Sequence, residues 1–238
     1  GEDIYGESRL PELLTELCKI EGFHWIRTLY LYPERITDKL IDTIAEQDKL
    51  VKYFDIPIQH CNADILKRMN RCGSRETLTE LIGKIRARIP NVIIRTTLIT
   101  GFPGETQEQF EELAEFANDM RFERLGCFAY SAEEGTPAAK FEGQLPDEEK
   151  ERRSDVIMEQ QMFINDVQNQ EMIGKVVEVV TEGFDRYVEC CFGRSAADAP
   201  EIDGKIFFSS ERKLTVGEYV KVKIDDTLDC DLLGTVCE

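Results

Sequence analysis

The sequence predicts an α/β fold in which a helix-backed parallel sheet is followed by a small all-β barrel. Three observations predict it. Helical and strand patterns alternate over residues 9–130, and such alternation implies right-handed βαβ crossovers and a parallel sheet. The stretch Val92–Thr106 (VIIRTTLITGFPGET) carries a β-branched strand into a Gly-Phe-Pro-Gly turn that opens onto an amphipathic helix. From Gly174 onward the texture changes to short β-rich runs punctuated by Gly and Asp, the pattern of a small antiparallel barrel.

The elements follow in order. Leu10, Leu13, Leu14 and Leu17 mark a first helix, and Trp25–Leu31 (WIRTLYL) a strand. Ile36, Leu40, Ile41 and Ile44 recur at helical spacing after Pro33, so residues 34–48 read as helix. Tyr53–Gln59 (YFDIPIQ) is the next strand; a short helix starts from Asn62 and a longer one from Ser74, both good N-caps. After strand 92–99, Phe110, Leu113, Phe116, Ala117 and Met120 share one helix face, with Thr106 and Gln109 placed for a capping box. Glu123–Tyr130 is a fourth strand, too few for a closed parallel barrel. Residues 146–171 form a charged helix with Val156, Phe163 and Val167 on one face. The β-rich runs KVVEVVTEG, RYVECCFG, EIDGKIFFSS and GEYVKVKIDD complete the chain, with the domain boundary near Ile173.

Composition narrows the function. The formal charge of −18 is spread along the chain: residues 172–238 hold 8 Lys+Arg against 14 Asp+Glu, and the remainder 21 against 33. Nucleic-acid binding draws on Lys and Arg that neutralise phosphates, so this balance disfavours it; a basic protein partner is attracted instead. No apolar run approaches the length of roughly 20 residues that a membrane span needs. Eight cysteines without an export signal imply free thiols in a reducing, cytoplasmic setting. The strand–turn–helix at 92–106 is where α/β proteins bind ligands, because the turn offers free backbone N–H groups and lets a ligand approach closely. No lysine follows the glycines, which excludes a Walker-type phosphate loop.

Three ordered segments go beyond a generic α/β reading: Asp55–Ser74 (DIPIQHCNADILKRMNRCGS), the strand ending GFPGET, and Tyr130–Ala139 (YSAEEGTPAA). With the β-rich tail they resemble the methylthiotransferase branch of the radical S-adenosylmethionine (SAM) enzymes. The resemblance is nearest to the RimO type, through Gln59-His60-Cys61, Glu133-Glu134-Gly135-Thr136 and Ser195–Gly204 (SAADAPEIDG). It implies a partial radical-SAM (β/α) barrel with a linker helix over residues 1–172 and a TRAM β-barrel over 173–238. It also implies methylthiolation of an aspartate on protein twelve of the small ribosomal subunit, by a monomer. A MiaB-type tRNA substrate is the weaker alternative. A non-catalytic ribosome- or RNA-binding adaptor, acting through the C-terminal barrel, is a reading of another class. One departure is large. The family's Cys-x-x-x-Cys-x-x-Cys motif for a 4Fe–4S cluster has no counterpart in the spacing of Cys18, Cys61, Cys72, Cys127, Cys190, Cys191, Cys230 and Cys237. The expectation is therefore a C-terminal part of the enzyme, inactive alone, with no metal ligands and no catalytic residue of its own.

The resemblance places SAM across the C-terminal ends of the strands. Gln59 would bond the ribose or methionine part, and Arg95, with Thr97 two residues on along the same face, would hold the carboxylate. Gly101, Phe102, Pro103 and Gly104 would wrap the adenine or ribose, and Tyr130 would bound the pocket. Each has a structural alternative: Gln59 as a strand-end cap, Arg95 as an ion-pair partner of Glu105 or Glu123, Tyr130 as core packing. His60 reads as structural, and Lys67, Arg68 and Arg71 as a solvated face. Cys190 and Cys191, adjacent in a strand, point to opposite faces.

Overall fold

The computed structural model describes residues 2–237, and the chain divides into two compact units, residues 1–161 and 162–238. The N-terminal unit opens with a short helix, α1 (Glu2–Tyr5), and α2 (Leu10–Cys18). Then come α3 (Asp38–Glu46), β1 (Tyr53–Gln59), α4 (Ala63–Arg68), α5 (Arg75–Arg88), β2 (Ile93–Thr100), α6 (Gln107–Met120) and β3 (Arg124–Ala129). Strands β1, β2 and β3 lie side by side in that order, all parallel. Caps fix the helix starts. The Thr37, Asn62, Ser74 and Thr106 side chains each accept from a backbone N–H one turn on, and Ser74 and Thr106 complete capping boxes.

Burial along β2 alternates strictly. Ile94 and Leu98 join the core with Phe54, Ile56 and Ile58 of β1 and with Ile82, Ile85, Leu113 and Phe116 of the helices. The other face carries Arg95 and Thr97. Parallel register aligns Asp55, Arg95 and Arg124 across the three strands, and Thr97 with Gly126.

Two expectations shift in this unit. The segment 25–31 makes an isolated parallel bridge, Ile26 with Leu50, in place of a strand. It is tied beside β1 by Leu31 N–H donating to the Asp55 carbonyl at 2.8 Å. The helix expected over 34–48 starts at Asp38. A short 3₁₀ turn, Pro33–Arg35, precedes it, and Thr37 caps the helix. The physical reason is that the hydroxyl of Thr37 satisfies an orphan N–H that an earlier start would have left inside the helix.

Helix α7 (Asp147–Gln170) crosses the division between the units. Its buried positions are Lys150, Arg153, Ser154, Ile157, Gln161, Ile164 and Asn169, whereas Phe163 and Val167 are exposed. The face is chosen by polar pairing more than by hydrophobicity: the Ser154 hydroxyl donates to the Cys127 carbonyl at 2.9 Å and the Gln161 amide to the Phe122 carbonyl at 2.8 Å.

In the C-terminal unit β4 (Val176–Asp185), β5 (Cys190–Ser195), β6 (Ile206–Ser209), β7 (Tyr219–Leu228) and β8 (Asp231–Val236) close into a barrel of order β4-β5-β6-β8-β7. It is not wholly antiparallel as expected, because β6 pairs with β8 in parallel. Strand β8 is also absent from the sequence reading; its Gly234 interrupts the apolar pattern. Val179, Ile206, Phe208, Val220, Val222, Ile224 and Leu232 fill the barrel. Two glycines set how closely its strands approach: a Cβ on Gly193 would lie 2.0 Å from the Val180 carbonyl oxygen, and one on Gly234 2.4 Å from that of Lys223. Among the described residues no helix is long and apolar enough to cross a membrane.

Candidate cofactor site

The C-terminal ends of β1 and β2, and the residue that follows β3, carry the rim residues. Gln59 closes β1 with a left-handed φ of 71° after a register shift, a conformation that non-glycine residues adopt at a cost. Its Oε1 is buried and has no hydrogen-bond partner. Tyr130 follows β3, its N–H donating to the Thr100 carbonyl at 2.8 Å. Its ring meets Phe102 edge-to-face at 5.3 Å between centres, and its hydroxyl is likewise buried and unpartnered. Buried polar groups nearly always find partners. Two orphaned oxygens on one rim fit a polar ligand such as SAM, which has several donors.

The turn Gly101–Gly104 is folded onto the protein's own residues. Gly101 N–H donates to Glu105 Oε2 at 3.0 Å, Gly104 N–H to the Gly143 carbonyl at 2.7 Å, and Glu105 N–H to the Phe102 carbonyl at 2.8 Å. The free N–H groups expected of this turn are therefore spent at these three positions. The glycines are required all the same. Gly101 has φ +70° and a Cβ there would lie 2.4 Å from Lys150 Cγ; Gly104 has φ +76° and a Cβ would lie 2.4 Å from Arg68 Nη1. Phe102 and Pro103 are buried, with the Arg68 guanidinium 5.8 Å from the Phe102 ring and 5.6 Å from that of Phe141.

Beneath the turn lies a buried charge network. Arg153 Nη1 donates to Glu105 Oε1 at 2.6 Å, and its Nε to Glu149 at 2.7 Å. His60 is fully buried; Nδ1 accepts from the Asn62 N–H at 2.9 Å, and Nε2 stands 3.5 Å from Glu105 Oε2. Burial pushes the Glu105 carboxyl upward, but His60 and Arg153 outweigh it and hold the group below the ordinary carboxylate range. Glu149 is held down to about 2 by its hydrogen bonds from Arg152 and Arg153.

Arg95 sits three residues into β2, five residues short of the strand's end. Its Nη1 donates to Asp55 Oδ1 at 2.8 Å. Of the two carboxylates weighed as its partners, Glu105 takes Arg153, and Glu123 takes Arg86 and the Ile94 N–H. Asp55, 1 % exposed, also accepts from the Tyr30 N–H at 3.0 Å. Arg95 thus enters the face as an ion-paired group and not as an open clamp. Thr97 is half-buried on the same face opposite Gly126, and Phe128, beside Ile99, is 58 % exposed.

The structure brings Phe102, Tyr130 and the glycine turn together and ties Arg95 to Asp55. Sequence reasoning missed Asp55, Phe128 and Arg153. A charged residue inside the apolar run of β1 was the available signal for Asp55; Arg153 was hidden within a charged helix. The basic run also differs from a plain solvated face, because Arg71 donates to the Pro57 carbonyl at 2.8 Å and Arg68 covers two rings.

The cysteines do not fit an iron–sulfur cluster. Among the described residues no three His, Cys, Asp or Glu side chains group to hold a metal ion. Burial pushes the Cys61 thiol up to about 12 and that of Cys127 to about 11, whereas ligation needs thiolates.

Comparison with known proteins agrees with this architecture. Residues 1–117 match the Radical SAM superfamily and residues 173–237 the TRAM domain. The chain is 48% identical over 239 residues to the ribosomal protein uS12 methylthiotransferase RimO of Clostridium novyi (strain NT), covering 100% of this chain and 53% of that protein. It is 46% identical over 238 residues to the protein of the same name from Clostridium tetani (strain Massachusetts / E88), with the same coverage. The chain thus spans about half the length of the curated relatives it matches. Coproporphyrinogen III oxidase (HemN) from Escherichia coli, a radical SAM enzyme, superposes with a TM-score of 0.50 at 16% identity, over 90% of this chain and 50% of that one; this likeness concerns the fold alone. The chain thus joins a Radical SAM region, residues 1–117, to a TRAM domain, residues 173–237, and is similar along its whole length to the RimO methylthiotransferases.

Proposed function

We propose that this chain is the part of a radical SAM methylthiotransferase that adds a methylthio group to an aspartate of ribosomal protein uS12. The observation that carries this reading is the similarity to RimO proteins along the full length of the chain. The formal charge of −18 supports a basic protein substrate over tRNA. The functional division is proposed at 172/173, with α7 as the linker.

Gln59 Oε1 and the Tyr130 hydroxyl would hydrogen-bond the polar atoms of SAM at the rim. Phe102 would offer its ring there, held by Gly101, Pro103 and Gly104. Thr97 and the Asp55-paired Arg95 would form the polar floor of the same face. The chemistry that SAM supplies when bound is hydrogen abstraction from an unactivated carbon; the protein's part is to orient it and exclude water. The cluster that this chemistry uses has no fitting ligands among the described residues.

The test is mass spectrometry of purified uS12 after incubation with the protein at the length of its relatives, SAM, a reductant and a sulfide source. The expected product is an aspartate heavier by one methylthio group. Modified tRNA with unmodified uS12 would overturn the substrate assignment. Equilibrium dialysis of labelled SAM against the present chain tests the rim: Gln59→Ala and Tyr130→Phe each weaken binding several-fold. Unchanged binding in both removes those residues from the site.

A further inference from the structure

His60 joins the buried charge network to the rim. It directly follows Gln59 at the exit of β1 and is fully buried. Its Nδ1 accepts from the Asn62 N–H at 2.9 Å. A ring nitrogen that accepts a hydrogen bond carries no proton, and an imidazolium is a donor at both nitrogens. The bond to Asn62 therefore fixes a neutral ring with its proton on Nε2. That nitrogen stands 3.5 Å from Glu105 Oε2 and has no hydrogen-bond partner. The separation exceeds a formed N–H···O bond by about 0.5 Å, so a donor and an acceptor face each other across a slack joint.

Both sides of the joint lead to the candidate site. Glu105 Oε2 also accepts from Gly101 N–H at 3.0 Å, and Oε1 from Arg153 Nη1 at 2.6 Å. Glu105 and Arg153 are buried, and inside such a cluster each added hydrogen bond strengthens its neighbours. A movement of His60 toward Glu105 is thus passed to the glycine turn and to α7. On the other side lies Gln59, with its left-handed φ of 71° and its buried, unpartnered Oε1. The register shift between Ile56 and Gln59 loosens the ladder at that strand end. A donor that engages Gln59 Oε1 therefore acts on a backbone that has freedom to carry His60 with it.

We propose that His60 is a positioning residue for the rim: protonated at Nε2, it closes its bond to Glu105 when a polar ligand engages Gln59, and so locks the end of β1 and the glycine turn together. This deepens the proposed function and rests on its SAM-binding reading. The test is heteronuclear NMR of the imidazole nitrogens in the present chain during titration with SAM. The chain has two histidines, and His24→Gln assigns their signals. His60 is expected to show a neutral ring protonated at Nε2, and saturation with SAM to move the Nε2 proton downfield as the bond to Glu105 shortens. In Gln59→Ala, saturating SAM should leave that signal in place. His60→Asn, whose amide replaces Nδ1 but falls short of Glu105, should weaken SAM binding about tenfold, and His60→Gln, whose longer amide reaches Glu105, by less than about threefold. A proton on Nδ1, a signal that SAM leaves unmoved in the wild type or moves equally in Gln59→Ala, or equal losses in the two His60 variants would each overturn the latch and leave SAM binding standing. No SAM binding by the wild-type chain would sink the reading beneath it as well.

Discussion

One face of the three-stranded sheet holds Asp55, Arg95, Thr97 and Arg124, whereas the inward face of the C-terminal barrel holds Val179, Phe208, Val222 and Ile224. Both are β-sheets of similar strand length. The barrel closes on itself, so its interior excludes water and is filled by side chains alone. The parallel sheet does not close among the described residues, and its polar face is held by directed pairs, Arg95 with Asp55 first among them. The difference teaches that a sheet left open is stabilised on its helix side, with charge pairing shaping the other.

The largest effect that would sharpen this contrast is expected at Arg153. Removing one partner of a buried ion pair leaves the other uncompensated, so Arg153→Ala should destabilise the N-terminal unit by about 3–5 kcal/mol. Hydrogen exchange should show the loss at Gly101–Glu105 and in α6, with the barrel's protection unchanged. Equal loss of protection in both units would break the comparison. Close behind, Phe208→Ala should cost about 3–5 kcal/mol by emptying the barrel core, with exchange accelerating only in residues 176–236.

Gly101→Ala should cost about 1–3 kcal/mol, since it adds a left-handed strain to a clash with Lys150. Urea unfolding followed at Trp25, the chain's one tryptophan, measures it, and a neutral result would mean that the turn moves freely. The smallest effect is pH-linked. Glu149, held down to about 2 by Arg152 and Arg153, contributes stability that is fully present above its ordinary value near 4.5 and lost as pH falls toward 2. Glu149→Gln should therefore flatten the acid limb of the unfolding midpoint below about pH 4.5, with little change of slope above it. An unchanged acid limb would discount the pair.

Much of this was legible in the chain because the signals were local. The capping residues Asn62, Ser74 and Thr106 and the alternation of β2 are written within a few positions, and the structure follows them. The strand expected at 25–31 failed because strand formation is a pairing property, and only Ile26 finds a bridge there. The α7 face failed because hydrophobic spacing favoured Phe163 and Val167, while the buried stripe was selected by hydrogen-bond partners far along the chain, Cys127 and Phe122. At the strand ends the positions of the candidate residues were legible and their alliances were not. Gln59 and Tyr130 stand at the rim as expected, but nothing in the sequence pairs Arg95 with a carboxylate 40 positions away.

The close strand approaches at Gly193 and Gly234 carry a last consequence. With no side chain at either crossing, the barrel is cinched to the narrowest girth its packing permits, and any substitution there must widen it. Sequence change is therefore tolerated along the outer walls and overhanging loops, while the cinch points stay fixed.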